Sequence, residues 1–138
     1  MSMKRTFSVA AALLALLAPT AFAAPAKDAS LLIRHQVRGC HSWAVNGGAF
    51  KATQSLRLGV GGTVTITNTD VMPHTLVQLA GPRATLHAPA MARMSAVAKV
   101  TFRARGVYVL GTKAGEDYMK GVKTTGEDNV LRLIVTVR

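Results

Sequence analysis

The side chains with the strongest claim to chemistry in this sequence are one thiol and four imidazoles. Cys40 is the only cysteine, and His41 follows it directly. His74 follows the rigid Pro73, after a stretch, Gly61 to Asp70, that alternates Thr with Val and Ile. A histidine just past a proline at the end of such a strand sits at the rim of a β-structure, where imidazole can reach a ligand. His87, Met91 and Met94 form His-x-x-x-Met-x-x-Met, and imidazole with thioether suits Cu(I) as a second, weak site; core filling by methionine is the alternative. No Ser-His-Asp or paired-carboxylate arrangement stands out, so nothing specific points to an enzyme.

The odd cysteine needs a reason, because the chain carries an export signal. Lys4 and Arg5 form a basic start, Val9 to Leu17 is an apolar run, and Ala21-Phe22-Ala23 is a small-x-small cleavage site. Residues 1–23 are therefore expected to be a secretory signal peptide, and residues 24–138 one domain of 115 residues. The expected location is periplasmic or extracellular. No second apolar stretch approaches the roughly 20 residues that span a bilayer, so no transmembrane segment is expected. In an oxidising compartment a lone thiol is a liability unless it is buried, paired between chains or bound to metal.

Without residues 1–23 the 17 basic residues fall to 15, against six acidic ones, a net charge of +9. Export sets nucleic acid aside, and the charges are spread singly along strands rather than gathered in a block. The basic balance reads either as a solvated surface or as steering toward an acidic partner protein or an anionic membrane surface.

The elements that must position these groups are short strands. Leu31 to Arg38 alternates, with Leu31, Ile33, His35 and Val37 on one parity, which reads His35 as a satisfied core histidine. Gly39 to Val45 continues that strand, and Asn46-Gly47-Gly48 ends it in a turn. Further strands are expected at Gln54–Leu58, Gly61–Asp70, His74–Leu79, Val97–Arg103, Gly106–Leu110 and Leu131–Val137. Ala80 to Met94 and Gly111 to Asn129 read as irregular. Trp43, the only tryptophan, packs in the core or shields the rim. The pattern predicts an all-β fold, a sandwich of seven to eight strands, with no helix of useful length, internal repeat or linker.

The Asn68-x-Asp70-x-x-Pro73-His74 segment resembles the first copper-histidine segment of the cupredoxins, the superfamily of plastocyanin and azurin. Gly106-Val107-Tyr108-Val109-Leu110 resembles the strand that leads into the family's Cys-His-Met loop, and Met119 looks similar to its weak axial methionine. The resemblance covers most of residues 24–138 as a strand pattern and implies a Greek-key sandwich with one copper ion. It implies His74 and Met119 as ligands. The family's cysteine position is Gly111 here, and no histidine lies between Gly111 and Arg138. The missing inventory, one thiolate and one imidazole, is present at Cys40-His41. Copper electron-transfer centres use His₂Cys with a weak axial Met, so His74, Cys40, His41 and Met119 form the expected set.

Successive strand residues point to opposite faces, so Cys40 and His41 reach one metal together only if Gly39 permits a bulge. Otherwise only one of them is a ligand, and Cys40 as a small buried hydrophobe is the alternative. Glu116 and Asp117 read either as solvated loop charges or as an oxygen ligand in place of an imidazole. The function expected is one-electron transfer with a redox or copper-exchange partner protein bearing an acidic docking surface. Its rivals are a copper carrier or storage protein and a metal-free interaction module. If the export reading holds, the intact mass of the exported protein corresponds to a chain starting near Ala24, and a mass retaining Met1 overturns it.

Overall fold

The computed structural model describes residues 24–35, 41–114 and 131–138, and the described residues form ten β-strands and no helix. The strands are β1 (Asp28–His35), β2 (His41–Val45), β3 (Thr53–Leu58), β4 (Thr63–Asn68) and β5 (His74–Ala80). They continue with β6 (Thr85–His87), β7 (Ala90–Met91), β8 (Val97–Thr101), β9 (Gly106–Ala114) and β10 (Arg132–Val137). Two mixed five-stranded sheets result, in the orders β2-β1-β4-β8-β6 and β3-β10-β9-β5-β7. The pairs β1–β4 and β3–β10 are parallel and the rest antiparallel.

Period-2 patterning decides which face each strand buries. In β1 Leu31 and Ile33 are buried while Leu32 and Arg34 face out, and in β4 Val64 and Ile66 are buried beside exposed Thr65. The first sheet thereby presents Leu31, Ile33, Trp43, Ile66 and Val100 to Leu76, Tyr108, Leu110, Leu133 and Val135 of the second. Burying each such side chain contributes about 1.5–3 kcal/mol. The polar tips of the two largest aromatics are satisfied: Trp43 Nε1–H donates to the Ala52 carbonyl at 3.0 Å. Tyr108 O–H donates to the Ala104 carbonyl at 2.7 Å, and its ring meets Phe102 edge-on at 4.8 Å.

The strand count exceeds expectation for identifiable reasons. Leu31 to Val45 is not one strand but the hairpin β1–β2, with His35 opposite His41. Alternation along Leu31–Val37 does not distinguish a strand that continues from one that turns back. Residues 80–94, read as irregular, contain the two short edge strands β6 and β7. Strand β9 runs past Leu110 to Ala114 because Gly111 and Thr112 pair with Val77 and Leu76.

Asn46-Gly47 is the expected tight turn. Both residues have positive φ, 49° and 73°, and Gly48 N–H closes the turn on the Val45 carbonyl at 2.8 Å, the pattern that favours Asn-Gly. Gly81, at φ 99°, ends β5 where a Cβ would run into the Val107 carbonyl and lie 2.8 Å from Tyr108 Cα. Gly81→Ala is expected to lower stability by more than about 1 kcal/mol. Denaturant unfolding should show this as a lower midpoint at unchanged m-value, and an unshifted midpoint would show that β5 and β9 do not approach so closely.

Candidate metal centre

Several strand ends meet at one end of the sandwich. They are the C-termini of β1, β4 and β9, at His35, Asn68 and Ala114, and the N-termini of β2 and β5, at His41 and His74. The turn between β4 and β5 crosses this end and carries Asp70.

Asn68 builds the turn. It is fully buried, and its Nδ2 donates to the carbonyls of Met72 at 2.8 Å and Met91 at 3.2 Å. Its Oδ1 accepts the Asp70 N–H at 2.9 Å, and Asp70 Oδ1 accepts the Met72 N–H at 3.1 Å. These are two successive side-chain-to-backbone turns, the use for which Asn and Asp are favoured. Thr69 ties the same turn to β1, since its N–H and its hydroxyl both donate to the Ile33 carbonyl, at 2.8 and 2.6 Å.

With Oδ1 engaged by the turn, Asp70 Oδ2 points to two imidazoles. His41 Nδ1 lies 2.7 Å away and His74 Nε2 3.1 Å away. A carboxylate only accepts, so both nitrogens donate and the tautomer of each ring is set. On the far side of His74, the Thr112 hydroxyl lies 3.4 Å from Nδ1. The rings of His41 and His74 meet edge-on at 4.7 Å, and His35 meets His41 edge-on at 6.0 Å. His41, Asp70 and His74 are buried, and His35 is exposed.

Burial pushes the Asp70 carboxyl up, but the hydrogen bonds from His74, the Met72 N–H and His41 outweigh it, and the net shift is below the usual carboxylate range. Burial holds His74 below the ordinary imidazole value, with the Asp70 carboxylate opposing. One donor atom each from His35, His41 and Asp70 lies within 4.8 Å of the others. Two imidazoles and a carboxylate make a donor set that suits a divalent first-row metal.

The expected site residues are placed as follows. His41 and His74 come together through Asp70, but His74 is 1% exposed, a buried residue and not an accessible rim one. It faces inward because it shares parity with Leu76 at the head of β5. Cys40 and Met119 lie outside the described residues, as do Glu116 and Asp117. His35 is not a core residue: it keeps the parity of Ile33 but lies one rung beyond the core, where the strand reaches solvent. His87 and Met91 are on opposite sheets, Met91 fully buried against the core and His87 exposed, so they form no second cluster. Trp43 is core. Gly111, where the resembled family has cysteine, is a buried mid-strand residue whose Cβ would lie 2.8 Å from Leu79 Cδ1 and 2.9 Å from the Leu131 carbonyl oxygen. Sequence reasoning took Asp70 only for a turn former. Its signal was its place four residues before His74 across a Pro-containing turn.

No family model matches the sequence, and no curated protein matches it. Among solved structures the chain is similar to a purple cupredoxin from Nitrosopumilus maritimus, at 18% identity and a TM-score of 0.46 over 79% of this chain and 98% of that one. It is similar to an oxidized mutant of amicyanin at 21% identity and a TM-score of 0.44, over 78% and 80% of the two chains. The Cu(I) form of another amicyanin mutant matches at 18% identity and a TM-score of 0.43, over 86% and 87%. The β-sandwich itself rests on the strand order described above.

Both pKa shifts act on stability with the same sign. A group whose pKa is lower folded than unfolded binds protons more readily in the unfolded chain, so acid favours unfolding. The stability that His74 contributes is fully present above its ordinary value of 6.5 and is lost as pH falls through the depressed one. That of Asp70 is present above 3.8 and is lost below it in the same way. Denaturant midpoints of the metal-free protein should therefore decline as pH drops below 6.5, and His74→Gln should flatten the upper part of that decline. An unchanged slope in the variant would show that His74 does not titrate on unfolding.

Proposed function

We propose that this end of the sandwich binds one copper ion and that the chain is an exported electron carrier rather than an enzyme. The observation that carries the reading is the convergence of two buried imidazoles, His41 and His74, on one oxygen of the Asp70 carboxylate, with their rings in contact at 4.7 Å. Copper, when bound, supplies a one-electron couple that the chain exchanges with a partner protein.

The residues of this chain do the rest. His41 and His74 are the proposed imidazole ligands, with Cys40, next to His41, and Met119 as the sulfur ligands. The described residues that flank the segments holding Cys40 and Met119 support this, because His35, His41 and Ala114 all lie at this end. Asp70 holds both buried rings in place, and Asn68 and Thr69 bind its turn to β7 and β1. A ligand set held this way needs little rearrangement when its charge changes by one.

Exposed Arg34 and Lys113 lie on strands that form this end, and exposed Arg93 follows β7, which pairs with His74; these charges favour a partner with an acidic surface. Association driven by them weakens with salt, since exposed charges are screened over roughly 8 Å at physiological ionic strength. A copper carrier is the second reading, favoured by the exposure of His35, which gives solvent a route to the cluster.

Adding Cu(II) to the purified protein should produce an intense visible thiolate-to-copper band, and Cys40→Ser should abolish it without altering the circular dichroism. His74→Gln, which keeps the buried volume, should weaken copper binding by about tenfold or more. A colourless copper complex, or a band that survives Cys40→Ser, overturns the thiolate-bound redox centre.

A further inference from the structure

We propose that His35, His41 and Asp70 form a divalent-metal site in their own right, complete without any sulfur ligand. It adds His35 and Asp70 to the ligands named above and shares only His41 with the copper reading. It needs neither Cys40 nor Met119.

The hairpin register carries the first part. His35 and His41 are directly opposite on antiparallel strands, and such pairs project from the same face with Cβ atoms about 4.5–5.5 Å apart. The face is the inner one, since the next partners along the register, Ile33 and Trp43, are both fully buried. Two imidazoles therefore stand side by side where the core opens to solvent, one buried and one exposed. Asp70 reaches His41 from the turn after β4, which Thr69 ties to β1 and Asn68 orders.

Distances decide whether one ion fits. Metal–nitrogen and metal–oxygen bonds run about 2.0–2.2 Å, which places adjacent donors about 3 Å apart and opposite donors no more than about 4.4 Å. His41 Nδ1 and Asp70 Oδ2 stand 2.7 Å apart, joined by the Nδ1 proton, and a metal ion held by both atoms takes the place of that proton, which is released on binding. The three donor atoms all lie within 4.8 Å of one another, close to that limit for opposite donors. A side-chain rotation of His35, the exposed member, adjusts the remaining distances. His41 and Asp70 supply the rigid half of the site and His35 the adjustable half.

The donor chemistry is two imidazoles and one carboxylate. That set suits Cu(II), Zn(II), Ni(II) and Fe(II), with Cu(II) tightest of the divalent series, and it has no soft ligand with which to favour Cu(I). Three protein donors leave at least one coordination position, on the solvent side with His35. Water or a small anion would take it.

The test uses the full chain with Cys40→Ser and Met119→Leu, so that no proposed sulfur ligand remains. Isothermal titration with Zn(II) should show one equivalent bound, and adding His35→Ala should weaken it by about tenfold or more. With Cu(II), electron paramagnetic resonance should show coupling to two imidazole nitrogens in the sulfur-free protein and to one after His35→Ala. His35→Gln serves as the second variant, with circular dichroism confirming that each one folds. No Zn(II) binding by the sulfur-free chain, or binding indifferent to His35, overturns the proposal. The visible band of the wild-type chain separates the two readings. A missing band together with His35-dependent zinc binding removes the thiolate centre and keeps this one. A Cys40-dependent band with His35-independent zinc binding does the reverse.

Discussion

A fully buried carboxylate with no Lys or Arg beside it among the described ion pairs governs this end of the molecule. Taking an ionised group out of water costs several kcal/mol unless hydrogen bonds replace the lost solvent. Asp70 meets that cost with the Met72 N–H on one oxygen and two imidazole N–H groups on the other. Each donor comes from a different element, so satisfying one side chain fixes the turn after β4, the start of β2 and the start of β5 together. Losing one donor would leave a charged acceptor underpaired in a dry site, which is why the three positions behave as a unit.

The sandwich supplies the remaining geometry. Its alternating core residues set the distance between the two sheets, and the parities of β2 and β5 aim His41 and His74 inward from opposite sheets. Asp70 bridges them across that gap. Their rings meet at right angles, 89° between planes. His35, one rung beyond the core on β1, connects this dry network to water. The end thus combines a desolvated half and an exposed half, a combination that suits a metal ion which must be held in fixed geometry and still be reached.

Much of the fold was legible in the sequence. Period-2 alternation marked Gly61–Asp70, Val97–Arg103 and Leu131–Val137, inside which the strands Thr63–Asn68, Val97–Thr101 and Arg132–Val137 form, and Asn46-Gly47 announced its turn through the φ > 0 preference of those residues. His74 stood out beside Pro73, and His41 beside the only cysteine. Such signals are local. Each is a propensity of a few neighbouring residues and needs no knowledge of what packs against them.

What only the tertiary structure decided are relations between distant residues. The sequence marks Asp70 as a turn residue and cannot show that its second oxygen meets His41, 29 positions away. It could not tell that the chain turns back between His35 and His41, because strand alternation is the same whether a strand continues or reverses. Nor could parity alone separate the last buried rung from the first exposed one, so His35 read as core until the sandwich showed where the core ends. Local patterning determined which side chains face inward. Where each strand stops, and which side chains meet there, was decided by pairing partners far off in the chain.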